Sequence, residues 1–234
     1  MKKKILSLTI GPVLVLGLIT IVLMLTMVKD SMIDEVQEAL KGTAAATLAA
    51  YDQNTGDYIE SSNGDIWKGS YNISKSESLV DRIKENSGMD VTFFYGDRRI
   101  MTSALDDNGE RILNSPAGER IVEKVLNGGE EYFSKAVSLE GELNYGYYMP
   151  VYQNGTTDQI IGMVFVGTDK KLKDAVVNKI LGSIILAVCV VMLICIVVGA
   201  KLSTSMTKNI RVSIGVVSKV ADVFHQFFRV LKCV

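Results

Sequence analysis

Arginine, tyrosine and carboxylate side chains carry whatever chemistry this chain of 234 residues can do. His225 is its only histidine, and Cys189, Cys195 and Cys233 are its only cysteines, so residues 29–179 contain neither type. That stretch cannot hold a Cys–His nucleophile pair, a disulfide or a zinc site of the usual ligands. Ser–Lys pairs and paired acids are the routes left to an enzyme. The acids have the pattern of a solvated surface: Asp106 and Asp107 sit in a turn, and Glu130 and Glu131 sit between a glycine pair and a strand. No catalytic residue, metal or cofactor is expected, and nucleic acid is not expected as a partner.

Binding chemistry is better represented. Arg98 and Arg99 are adjacent at a strand start, where alternation sends their side chains to opposite faces, so one of them reaches the covered face. Arg99 would share its face with Met101 and Ser103, and Arg98 would share the other with Ile100 and Thr102. On a second strand Tyr145 and Tyr147 fall with Met149, while Tyr148 falls with Pro150 and Tyr152. An apolar wall with hydroxyl tips suits a pocket for a small polar ligand. Trp67, Phe93 and Phe94 fit such a wall too. Each has a plainer reading: a surface salt bridge from Arg99 to Asp97 or Glu110, and core packing for the rings.

The elements that position these residues follow from periodicity. From Lys29 the chain has helical composition up to the turn residues Asn54 and Gly56, with Met32, Val36, Ala39 or Leu40, and Thr43 recurring at three and four. A loop-rich stretch with one or two short strands is expected up to Ser76. Ser76 then caps a helix that stops at Gly88. Val91 to Tyr95 and Arg98 to Leu105 form a hairpin turning at Gly96 and Asp97. A helix starts at Pro116 and Glu119 and ends at Gly128 and Gly129. Strands are expected at Glu131 to Leu139, Leu143 to Tyr152 and Gln159 to Thr168. The fold class is therefore α+β, with a long N-terminal helix and an antiparallel meander of about five strands.

Two uncharged apolar runs flank this domain, Ile5–Val28 with 24 residues and Ile180–Ala200 with 21. Each is long enough to cross a hydrocarbon core of about 30 Å. Lys2, Lys3 and Lys4 precede the first run. The 34 residues after the second carry six basic side chains against Asp222, whereas residues 29–179 hold 16 basic and 25 acidic ones, a net of −9. By the positive-inside bias both termini are cytoplasmic and the middle is exported, in a two-pass membrane protein. A cleaved signal peptide at Met1–Val28 is the competing reading; the length of the apolar run and the lack of a small-residue cleavage site before Lys29 favour a retained anchor. The expected organisation is 1–28 for the N-terminal tip and first span, 29–179 for the exported domain, 180–200 for the second span and 201–234 for a cytoplasmic helix.

The strings DVTFFYGDRRIMTSALDDNGER, VLNGGEEYF and YYMPVYQNGTTDQIIGMVFVG resemble the single Cache sensor domain of bacterial methyl-accepting chemotaxis receptors. Thr92, Phe94, Gly96, Asp97, Arg99, Thr102, Gly109, Arg111, Tyr148, Pro150, Gly162 and Gly167 carry the resemblance, over roughly residues 30–170. Leu113, Asn114 and Ser115 depart from the Gly-Thr pair frequent in the family. The resemblance implies a PAS-like sheet that binds a small molecule, an organic acid or amino acid for preference, and it makes Arg99 the carboxylate partner because a guanidinium forks onto a carboxylate. The expected ligand-binding set is Arg99, Met101, Ser103, Thr92, Phe94, Tyr145, Tyr147 and Trp67.

After Lys201, the residues Ile210, Ile214, Val217, Ala221, Phe224, Phe228 and Leu231 follow an apolar heptad seam. This resembles the first helix of a HAMP relay, incomplete here and without its usual proline. An amphipathic helix on the inner leaflet explains the seam equally well. Apolar and small residues on several sides of the helix after Lys29 lead to the expectation of a homodimer. The implied function is a chemoreceptor-type transducer in a bacterial cell membrane. The input half of a sensor histidine kinase or cyclic-dinucleotide receptor, and a membrane-anchored accessory or scaffold protein, are the alternatives.

Overall fold

The computed structural model describes residues 2–139 and 141–231, in two compact units: Asp30–Asn178, and Met1–Lys29 with Lys179–Val234. Helix α1 spans Lys2–Asp52 and α4 spans Lys170–Leu231. Both are long and apolar enough to cross a membrane. Their apolar stretches are not the covered core of a soluble bundle, since Leu16 and Leu186 are each 66% exposed. In the apolar heptad seam Ile214, Val217 and Ala221 are exposed on α4. Ile210, Phe224, Phe228 and Leu231 lie outside the residues whose side chains are described, and Cys233 lies outside the described residues altogether.

In the unit Asp30–Asn178, short strands β1 (Tyr58–Glu60), β2 (Ile66–Lys68) and β3 (Tyr71–Asn72) form a small antiparallel sheet where mostly loop was expected. Helix α2 (Glu77–Ser87) follows, ended by Gly88 in the left-handed conformation at φ 69°. Ser76 occupies its N-cap position, but its hydroxyl is spent elsewhere: it donates to the Ile73 carbonyl at 2.7 Å and lies 2.9 Å from the Tyr51 phenol. Strands β4 (Asp90–Tyr95), β5 (Arg98–Thr102), β6 (Tyr132–Leu139), β7 (Glu142–Tyr152) and β8 (Ile160–Asp169) build the main sheet. Before β6, helix α3 (Glu119–Ile121) widens into a π-helical turn over Val122–Asn127.

All pairings in the main sheet are antiparallel, and its order is β5-β4-β8-β7-β6. The α+β class holds, but the expected meander does not. The last strand, β8, returns to the middle of the sheet and pairs with β4 on one side and β7 on the other. Its GMVFVGT run is buried on both faces, as a central strand requires. One face packs against α1: Leu40, Ala44 and Tyr51 meet Val91, Phe93, Val164 and Val166, with Tyr58 stacked on Phe93 at 5.8 Å between ring centroids. The other face carries a smaller core of Phe94, Ala104, Val125, Leu139, Tyr148, Met163 and Phe165.

Candidate functional site

A one-residue bulge decides which side chains share a face. Phe93 pairs with Met101 but Phe94 pairs with Arg99, so Ile100 is the extra residue in β5. Alternation resets across it. Met101 and Ile100 both enter the core under α1, and Arg99 points to the opposite face with Thr102, which lies against Thr92 with their hydroxyls 2.7 Å apart. The expected grouping of Arg99 with Met101 and Ser103 is thus corrected. Ser103, past the end of the strand, donates to Asp90 at 3.0 Å and accepts the Val91 N–H at 2.9 Å. The expectation that Arg98 and Arg99 diverge is met: Arg98 reaches Glu60 of β1 at 2.7 Å.

Arg99 lies over the ring of Phe94, with Cζ 5.5 Å from the centroid, and one Nη sits 3.5 Å from the Ile112 carbonyl. Tyr148 of β7 is buried on this face beside Phe165, at 4.8 Å between ring centroids. Burial pushes the Tyr148 phenol up, while the Arg99 guanidinium pulls it back. The Phe165 ring needs its glycines: a Cβ at Gly146 or Gly167 would come within 2.7 or 2.6 Å of it. The cover over this face is the π-helical turn and, beside β5, chain without regular structure. Residues 114–116 run antiparallel to β5, with the Arg99 N–H donating to the Ser115 carbonyl at 3.1 Å and the Asn114 N–H to the Arg99 carbonyl at 2.8 Å. Asn114 turns there at φ 61°, a conformation asparagine tolerates better than most residues. The Ser115 hydroxyl oxygen is enclosed and makes no hydrogen bond among the described residues. Such a group costs free energy until a partner meets it. Arg111 pins the loop, donating to the Thr102 carbonyl and to Asp81, each at 2.6 Å.

Three of the expected residues, Arg99, Thr92 and Phe94, therefore meet on one face. Tyr145 and Tyr147 are on the other, in the core under α1. Their hydroxyls leave that core in two parallel networks. The Tyr145 O–H donates to Asp174 of α4 at 2.6 Å, and Lys170 sits 3.0 Å from the same phenol and 3.4 Å from the carboxylate. The Tyr147 O–H donates to Glu131, which pairs with Lys41 of α1 at 2.7 Å. Burial and the neighbouring carboxylate push the Tyr147 phenol up to about 12; the Lys41 ammonium and the Tyr147 hydroxyl hold Glu131 below the usual carboxylate range. Trp67 stands apart in β2, paired with Ile59 and Asn72.

Sequence reasoning missed three residues. Tyr148 was visible as the phase opposite Tyr147. Ser115 stood in the sequence only as a departure from a family pattern. Lys68 gave no signal: it is 2% exposed, 4.2 Å over the Tyr58 ring and 3.4 Å from Asp52, and it ties the small sheet to the end of α1.

Residues 71–180 match the family model described as single cache domain 3. That match runs from β3 into the first turns of α4 and takes in a little under half of the chain. No curated protein matches the chain. Among solved structures, the chain is similar to the ligand-binding domain of the Campylobacter jejuni chemoreceptor Tlp3 in complex with L-valine, at 11% identity and a TM-score of 0.44, over 76% of this chain and 66% of that one. The same domain with L-norvaline aligns at 10% identity and a TM-score of 0.44, over 76% and 63% of the two chains. An extracellular ligand binding receptor from Desulfohalobium retbaense aligns at 14% identity and a TM-score of 0.42, over 64% of this chain and 26% of its own length.

Proposed function

We propose that the chain is a transmembrane chemoreceptor-type transducer whose exported Cache domain, residues 29–179, binds a small carboxylate-bearing molecule, an organic acid or amino acid. The reading has spans at 5–28 and 180–200, both termini cytoplasmic, and a homodimer in a bacterial cell membrane. One observation carries it: Arg99, Phe94 and Tyr148 lie on the sheet face covered by a loop and a π-helical turn, that loop encloses the Ser115 hydroxyl beside Arg99, and the other face is bonded to both long helices. A guanidinium backed by an aromatic ring and a hydroxyl in want of a partner form a carboxylate subsite. Strand β7 links it to the rest. Tyr148 faces the ligand side, and Tyr145 and Tyr147 on either side of Gly146 hold α4 directly and α1 through Glu131. A shift of β7 on ligand binding moves both helices, which is the relay.

Trp67 is the only tryptophan, so its emission follows unfolding of this domain in the full-length protein in detergent. A screen of amino acids, with L-valine and L-norvaline among them, and of small carboxylates should give a compound that raises the melting temperature. The rise should vanish in Arg99→Ala and persist in Arg98→Ala. A compound that stabilises Arg99→Ala as well as the native protein would move the site off this face. For topology, a cysteine at the exposed Ser62 should be labelled from outside intact cells and one at Ser218 should not.

A further inference from the structure

An open groove of about 560 Å³ lies between the β6–β7 turn and the first turns of α4. Glu142 and Leu143 line one wall, and Lys171, Asp174, Ala175 and Asn178 line the other. Asp174 is already engaged by Lys170 and the Tyr145 phenol. Lys171 and Glu142 are exposed, and among the described residues neither side chain makes an ion pair. The groove therefore offers one ammonium and one carboxylate from facing walls, with aliphatic surface between them. Leu143 is 51% exposed there.

Its place along the chain says what could fill it. Asn178 is two residues short of Ile180, where the second uncharged run begins. Two residues of helix are about 3 Å. Around the groove α4 carries Lys170, Lys171, Lys173 and Lys179 against Asp174, in a domain whose net charge is −9, with Leu172 and Val176 exposed among the lysines. Lysines interleaved with bare aliphatic side chains are the composition of a surface that meets lipid headgroups.

We propose that this groove binds the phosphoethanolamine headgroup of a membrane phospholipid, with the phosphate on Lys171, the ammonium on Glu142 and the glycerol end against Leu143 and Ala175. Facing charges of opposite sign favour a zwitterion over a purely anionic headgroup. The carboxylate also favours ethanolamine over choline, because a quaternary ammonium has no N–H to donate. The inference rests on residues 180–200 spanning the membrane.

The test uses the full-length protein reconstituted in phosphatidylcholine vesicles, with Trp67→Phe and Leu143→Trp so that the single tryptophan sits at the groove. Asn178→Trp is a second reporter should Leu143→Trp fold poorly. A minor fraction of lipid carries bromine near the acyl carbonyl, on ethanolamine, choline or glycerol headgroups in turn. Brominated phosphatidylethanolamine should quench at roughly one tenth of the concentration the choline lipid needs, the worth of one charge-assisted hydrogen bond. Glu142→Gln and Lys171→Gln should each remove that preference. Equal quenching by ethanolamine and choline lipids, stronger quenching by phosphatidylglycerol, a preference unchanged in both variants, or no quenching would overturn the proposal. Displacement by water-soluble glycerophosphoethanolamine at matching concentration would overturn the lipid as its source. Retention of the protein by vesicles after an alkaline wash reports the membrane span separately, so loss of the span and loss of the site are distinguishable.

Discussion

On one face of the main sheet, α1 lays Leu40, Ala44 and Tyr51 on Val91, Phe93 and Val164, and the tyrosines at its margin end on carboxylates. On the other face a loop and a π-helical turn cover Phe94, Met163 and Phe165, beside the half-buried Arg99 and an enclosed Ser115 hydroxyl that makes no hydrogen bond among the described residues. A regular helix satisfies its own backbone and can seal an apolar face completely. A loop depends on a few pins, here Arg111 and the backbone bonds to Arg99. The comparison teaches that one sheet divides its labour: the helix-covered face is sealed and bonded to the long helices, and the loop-covered face, with polar groups among its rings, is the one we propose for the ligand.

The strongest test of that division compares two phenylalanines. Phe93→Ala removes a fully buried ring packed against Tyr51 and Tyr58 and should cost about 3–5 kcal/mol in urea unfolding. Phe165→Ala, under the loop, should cost less because the cover can settle into the space. Equal losses would mean that both faces are equally rigid. Next in size is the effect of Arg99→Lys on ligand affinity measured by calorimetry. Keeping the charge while losing the fork should still weaken binding about tenfold to a hundredfold, the worth of roughly 1.5–3 kcal/mol. Full affinity in Arg99→Lys would leave a simple point-charge role.

Smaller still is the pH dependence of the helix-side margin. The Tyr147 phenol is raised to about 12, so its contribution to stability is complete below the ordinary tyrosine value near ~10 and is lost as pH climbs towards 12. Glu131 is lowered, so its contribution is present above the ordinary glutamate value near ~4.3 and is lost as pH falls through the folded value. Tyr147→Phe should flatten the urea midpoint in the alkaline window and weaken its fall in acid; an unchanged profile would detach Tyr147 from the stability of this face. Least of all, Arg98→Ala breaks a half-exposed pair with Glu60 and should cost no more than about 1 kcal/mol in the same unfolding measurement.

Much of the local structure was legible without coordinates. Helices announced themselves by three-and-four spacing and by Gly88, and the β4–β5 hairpin by Gly96 in its turn. The candidate site was legible only in part: Arg99, Thr92 and Phe94 of the expected set share one sheet face, and Tyr148 and Ser115 beside them were not in that set. Alternation counts residues from a strand end, and a single inserted residue at Ile100 reverses everything counted beyond it. That is why Met101 was assigned to the wrong face.

By itself the sequence determined what depends on neighbours along the chain: two uncharged runs long enough to span lipid, an acidic domain without histidine or cysteine between them, and the order of helices and strands. Tertiary structure alone decided what depends on partners far away in sequence. It put β8 between β4 and β7, set the bulge that turns Arg99 away from Met101, and brought Tyr145 to Asp174 and Tyr147 to Glu131. The physical reason is that strand register is fixed by the summed burial of both partners and by backbone hydrogen bonds between them. Neither quantity exists until the strands have met.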